Sequence, residues 1–113
     1  MPVRGGSGGA AAPAVQERSR QLPAPEPLYH VVLLDDDDHT YDYVIRMLCT
    51  LFGHSAGEAR AMAREVDTTG RVVVATTHRE RAELKCAQIL AFGPDPLIPY
   101  SRGSMRATIE PSA

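Results

Sequence analysis

The segment Tyr29-His30-Val31-Val32-Leu33-Leu34 is a short, largely apolar, β-rich run, and it stops at four consecutive aspartates, Asp35 to Asp38. An amphipathic pattern begins two residues later. This junction constrains the fold more than any other part of the chain. A run this short, bounded by charge, reads as a strand. Four like charges repel one another, and they must stay in water or meet a cation. Packing alone does not call for them between a strand and a helix, so something positive is expected there.

The elements that follow are marked by spacing and by caps. Tyr41, Val44, Ile45, Leu48 and Phe52 lie at helical intervals, with Asp38 or Thr40 as the N-cap and Gly53 as the stop. Ser55-Ala56-Gly57-Glu58 is a capping-box pattern. Ala59, Met62, Ala63 and Val66 follow it on one face, and Gly57 weakens this second helix. Asp67-Thr68-Thr69-Gly70 reads as a turn, in which Asp67 acts as a cap. Arg71 to Thr76 reads as a buried strand around Val72-Val73-Val74. Thr77-His78-Arg79-Glu80 is a second capping-box pattern, opening a third helix with Ala82, Cys86, Ile89 and Leu90 on one face. Gly93-Pro94 ends it. A Pro-rich connection runs to about Gly103, after which Met105, Ala107 and Ile109 alternate as in a half-buried strand. The order β-α-α-β-α-β predicts an α+β domain with the helices on one face of a small sheet.

Residues 1–27 gather Gly, Ala and Pro and cannot bury enough apolar surface to offset chain entropy. They read as a flexible extension, a spacer or a tether, ahead of a folded domain over 28–113. A chain of 113 residues fits one such domain. A net charge of −2 gives no global basic field for nucleic acid. No stretch approaches the length of a membrane span. The two cysteines, Cys49 and Cys86, fall in helical patterns without C-x-x-C spacing, which suits a reducing compartment. The bacterial cytoplasm is expected, ahead of a plastid.

Catalytic signatures are missing: there is no G-x-S-x-G, P-loop or H-E-x-x-H. Three readings of the aspartates stay open. A metal could sit among Asp35 to Asp38 and His39, although the EF-hand alternation is absent. The run could be a solvated loop that favours the following helix through its dipole. Or it could hold a cation of a partner, such as an ammonium group, through charge-assisted hydrogen bonds. In the last case Met62, Ala63 and Val66 are candidate walls of an adjoining apolar hollow.

From Tyr29 to Glu110 the chain resembles ClpS, the adaptor family that delivers N-degron substrates to a Clp AAA+ protease. Tyr29 to Leu34 followed by Asp35-Asp36-Asp37 resembles the family's Y-x-V-x-L-x-N-D-D segment. Tyr43-Val44-Ile45, Leu48 and Leu51-Phe52 resemble its F-V-I…L…F-F helix. Glu58-Ala59, Met62 and Gly70-Arg71 resemble its E-x-A…G-K stretch, and Glu80, Glu83 and Lys85 its E-x-x-E-x-K. The resemblance implies a three-stranded antiparallel sheet with three helices stacked on one face. It implies a monomeric, non-enzymatic adaptor without cofactor or metal, whose partners are N-degron proteins and the N-terminal domain of a Clp AAA+ unfoldase.

Carried over by position, the substrate's N-terminus would be bound by Asp35, Asp36, Asp37, His39 and Asp67. The apolar pocket would be formed by Leu34, Tyr41, Val44, Ala63 and Val66. Unfoldase docking would fall to Glu80, Glu83 and Lys85. Asp36, Asp37, Val66, Glu80 and Lys85 match the family. Asp35 stands for Asn, His39 for Thr, Tyr41 and Ala63 for two pocket Met, and Asp67 for an amine-binding His. Two further functions remain open: a regulator that docks on the unfoldase without reading N-degrons, or an unrelated small α+β interaction domain.

Overall fold

In the computed structural model, which describes residues 26–113, the apolar run becomes strand β1, Leu28–Leu34, at the centre of the sheet. Helix α1, Tyr41–Phe52, follows, then helix α2, Ala56–Thr69, and strand β2, Arg71–His78. Helix α3, Arg79–Leu90, and strand β3, Ala107–Pro111, complete the order β-α-α-β-α-β. The strands are arranged β2-β1-β3, and both pairings are antiparallel. Of the expected 1–27 extension, only Glu26 and Pro27 lie within the described residues.

A central strand is covered on both sides, which accounts for the apolar run. Val31 and Leu33 join Val72 and Val74 of β2 beneath the helices, in a core completed by Tyr43, Met47, Leu48 and Ile89. Helix α3 packs on all three strands and α2 on β2, while α1 packs against both other helices. Val32 lies on the opposite face, yet it too is fully buried. Arg71 stands beside Leu34, and Glu110 beside His30. Their ion pair therefore crosses β1 over Val32.

The register of β1 on β2 slips between Val31 and Val32, so Val74 is the extra residue of a bulge. His54 Nε2 donates to the Val74 carbonyl at 2.7 Å, which gives the bulged residue's oxygen a partner. Thr40 is the N-cap of α1, its hydroxyl accepting from the Tyr43 N–H. Gly53 ends α1 at φ 72°, where a Cβ would be strained. The capping box of Ser55 and Glu58 forms in both directions.

Four boundaries differ from the sequence expectation. Asp67-Thr68-Thr69 is not a turn but the last turn of α2. The Thr68 hydroxyl bonds back to the Arg64 carbonyl and the Thr69 hydroxyl to that of Glu65, so the helix runs on to Gly70. Strand β2 extends to His78, because Thr77 is still paired with Tyr29 in the ladder. The N-cap of α3 is therefore His78, without a side-chain cap bond, and the second capping box does not form. Helix α3 ends at Leu90, and β3 starts at Ala107, just after the buried Met105. Among the described residues no helix is long and apolar enough to cross a membrane.

Candidate functional site

The end of β1 is fixed from both sides. The Leu34 N–H donates to the Arg106 carbonyl and the Asp35 N–H to the Gly70 carbonyl, each at 3.0 Å. Gly70 closes α2, so Asp35 stands beside the last turn of that helix, where Asp67 is exposed. Two carboxylates far apart in sequence thus come near enough for the charge of Asp67 to act on Asp35. Burial pushes the Asp35 carboxyl above its ordinary value. The Asp36 N–H pulls the other way, and the charges of Asp67, Asp36 and Asp37 add to the rise. Among the described residues neither Asp35 nor Asp67 has an ion-pair partner. Asp67 also lies at the negative end of α2, whose last turn carries no basic residue. It does nothing for that helix's dipole.

Tyr41, the first residue of α1, donates its hydroxyl to Asp67 Oδ2 at 2.8 Å. This bond ties the start of α1 to the end of α2, and it is the main cause of the rise in the Tyr41 phenol's pKa. Of the expected pocket residues, Val44, Ala63 and Val66 are buried in the core. Leu34 is half-buried, and Tyr41 remains 38% exposed.

The rest of the acidic run divides into separate roles. Asp36 Oδ1 accepts from the Asp38 N–H at 2.9 Å and faces His39 Nδ1 at 2.7 Å. His39 Nε2 lies 2.7 Å from the Gly103 carbonyl, and the ring packs 4.5 Å from that of Tyr43. With its side chain only 3% exposed and both nitrogens engaged, His39 is not free to meet an incoming amine. The structure places it behind the run as a strut for Asp36. Asp37 is exposed, and its carbonyl accepts from the Tyr100 hydroxyl at 3.4 Å. Among the described residues no group of three or more His, Cys, Asp or Glu side chains is placed to hold a metal ion.

Sequence reasoning missed Asp95. It is buried, and its Oδ2 accepts from the Thr40 N–H at 2.6 Å and the Thr40 hydroxyl at 2.9 Å. Its Oδ1 accepts from the Leu97 N–H at 2.9 Å. Burial works to raise the Asp95 carboxyl, but the bonds from Thr40 and Leu97 and the nearby His39 overcome it and hold the group below its ordinary value. The one available signal was a lone acid between Pro94 and Pro96.

The expected docking residues lie on α3. Glu80 is exposed in its first turn, and Glu83 pairs with Arg79 at 3.2 Å. Lys85 is turned inward: its Nζ donates to the Leu51 carbonyl at 2.6 Å and lies 5.5 Å from the Phe52 ring centroid. It thereby satisfies a terminal carbonyl of α1. Beside it a hollow of about 300 Å³ is lined by Leu51, Phe52, Ala75, Thr76, Thr77, Arg81 and Lys85.

Comparison with known proteins places the chain among similar sequences and folds. The family described as ATP-dependent Clp protease adaptor protein ClpS matches residues 24–96. The ATP-dependent Clp protease adapter protein ClpS of Xanthomonas oryzae pv. oryzae (strain MAFF 311018) is 38% identical over 76 residues, 67% of this chain and 72% of that protein. The protein of the same name from Hydrogenovibrio crunogenus is 36% identical over 75 residues, 66% of this chain and 72% of that one. Among solved structures, Agrobacterium tumefaciens ClpS2 bound to L-phenylalaninamide superposes with a TM-score of 0.67 at 27% identity. That match covers 78% of this chain and 100% of the other.

Proposed function

The chain belongs to the ClpS family of ATP-dependent Clp protease adaptors, and from that premise we propose that it captures substrate proteins by a free N-terminus and hands them to a Clp AAA+ unfoldase. Members of the family are adaptors rather than enzymes. The observation that carries the reading is the nearness of Asp35 and Asp67, two carboxylates without a cation partner among the described residues. An α-ammonium placed between them would donate charge-assisted hydrogen bonds to both carboxylates. Burial is the main cause of the rise in the Asp35 carboxyl, and the ammonium would also relieve the repulsion from Asp67, Asp36 and Asp37 that adds to it. Asp36, held by His39, and the exposed Asp37 extend the negative rim. The solved ClpS2 carries an amino-acid amide, a free amine joined to an aromatic side chain, which fits this division into acidic rim and apolar pocket.

The side chain of the first residue would enter beside Leu34, Val44, Ala63 and Val66. Since these are largely covered, Tyr41 must swing aside or share Asp67 with the ligand. Ala63 leaves room beneath it for β-branched first residues such as Ile or Val. Glu80 and Glu83 offer exposed carboxylates to the unfoldase's N-terminal domain, while Lys85 firms the surface beside them by closing α1. The adaptor would act as a monomer in the bacterial cytoplasm.

Fluorescence anisotropy with peptides that differ only in their first residue tests the reading. A free amine should bind, and its acetylated counterpart should not. Equal binding of the two sinks the proposal. The Tyr41–Asp67 bond favours one other function, an unfoldase-docking regulator that reads no N-terminus. Absence of all peptide binding, with unfoldase affinity undisturbed by Asp36→Ala, would favour that reading.

A further inference from the structure

The connection from α3 to β3 is anchored far more firmly than a spacer requires. Its Gly93 carbonyl accepts from the Tyr43 hydroxyl, its Asp95 carboxylate from Thr40, and its Gly103 carbonyl from His39. The Arg106 guanidinium donates to the Asp35 carbonyl at 3.0 Å. Within the connection, the Ser101 N–H donates to the Ile98 carbonyl at 3.0 Å, and the Asp95 N–H donates to the Ser101 hydroxyl at 2.9 Å. Pro94, Pro96 and Pro99 each fix their φ.

On this rigid frame the apolar side chains point the wrong way for a core. Leu97 is 63% exposed and Tyr100 62%, more than any other large hydrophobic side chain among the described residues. A single exposed leucine is ordinary. Two large apolar groups on a loop whose Asp95 and Ser101 side chains are held by internal bonds while Arg102 is exposed, at the edge of an acidic cluster, are the pattern of a contact surface. The surface is continuous with the rim, because the Tyr100 hydroxyl reaches the Asp37 carbonyl.

We propose that Leu97 and Tyr100 form a second subsite, which takes an apolar side chain at the second or third position of the polypeptide whose N-terminus lies at Asp35 and Asp67. This rests on the function proposed above. The reach agrees. Asp37 is two residues from Asp35, at most about 7 Å along the chain. In an extended peptide the second and third residues lie about 3–7 Å beyond the first. The charge agrees as well: Asp37, in contact with Tyr100, repels an acidic side chain there and leaves an apolar one unopposed. Because the loop is already ordered, binding loses little conformational entropy.

The test uses the full chain and three ligands: an amino-acid amide, a peptide with the same first residue followed by two leucines, and one followed by two aspartates. Each is titrated against wild type and Leu97→Ser/Tyr100→Ser, whose folding is checked by thermal melting. Wild type should bind the leucine peptide about tenfold more tightly than the amide, roughly the gain from burying one apolar side chain. The double variant should bind the leucine peptide no better than the amide, with its affinity for the amide unchanged. Unchanged leucine-peptide binding in the double variant, with amide binding intact, overturns the subsite and leaves the adaptor reading standing. Failure of wild type to bind any of the three ligands overturns both. Sedimentation that shows self-association lost in the double variant would assign the ledge to a second copy and overturn the proposal. So would loss of unfoldase binding with peptide binding retained.

Discussion

At the scale of single residues, Asp35 and Asp95 are carboxylates with opposite consequences. The folded state raises the pKa of Asp35, so the native protein holds that proton more tightly than the unfolded chain does. Stability therefore falls as pH rises from the ordinary carboxylate range through the raised value, and the whole penalty is present above it. Asp35→Asn should melt higher than wild type at neutral pH, and the advantage should vanish in acid, which thermal melts across pH will show. A bound ammonium reverses the sign. It stabilises the ionised carboxylate, so affinity for a free-amine peptide should weaken as pH falls through the raised Asp35 value, and Asp35→Asn should lose that pH dependence while its amide oxygen still accepts from the amine. Asp95 has a depressed pKa. Its contribution is present above the ordinary carboxylate value and is lost as pH falls through the lowered one. Asp95→Ala leaves the Thr40 N–H without its partner and should cost about 2–3 kcal/mol by denaturant titration at neutral pH. Tyr41→Phe removes only a hydroxyl. If the phenol competes with the ligand for Asp67, this variant should bind a free-amine peptide more tightly than wild type in the same anisotropy assay.

Among the elements, α2 has the most legible beginning and the least legible end. Ser55 and Glu58 are three residues apart and need only each other, so the capping box could be read directly from the sequence. Ser55→Ala should cost about 1 kcal/mol in a denaturant melt without altering the fold. The end of α2 was misread because Asp, Thr, Thr and Gly are all common in turns. Threonine hydroxyls bonded to carbonyls one turn back kept the helix going, and this places Asp67 next to Asp35. Local pattern failed in a similar way at Thr77, where a ladder partner on β1 outcompeted a capping role. Asp36, Asp37 and Asp67 were pointed out by the family pattern rather than by periodicity. Asp95 had no adequate local signal, since its partner Thr40 lies 55 residues away. Glu80 and Lys85, both on α3, can be separated by experiment. Glu80→Ala should weaken capture of the unfoldase at an unchanged melting temperature, whereas Lys85→Ala should lower the melting temperature as well, because it leaves the Leu51 carbonyl without its donor.

For the whole molecule, the decisive feature is the strand order. The first strand occupies the centre of the sheet, and its two partners come from the middle and the end of the chain. The sheet is therefore built from contacts distant in sequence, which close slowly. Removing residues from Ala107 onward would strip β1 of a neighbour and leave Val31 and Leu33 covered on one side only. Such a truncation should lose its cooperative melting transition together with any binding of free-amine peptides. The same order bears on how the protein is made. Asp35 leaves the ribosome well before its supports, Arg106 against Leu34 and Gly103 against His39, the latter 64 residues downstream of its partner. A nascent chain thus exposes its aspartates long before they are arranged to hold anything. The proposed capture of free N-termini could begin only once residues 103–106 have emerged.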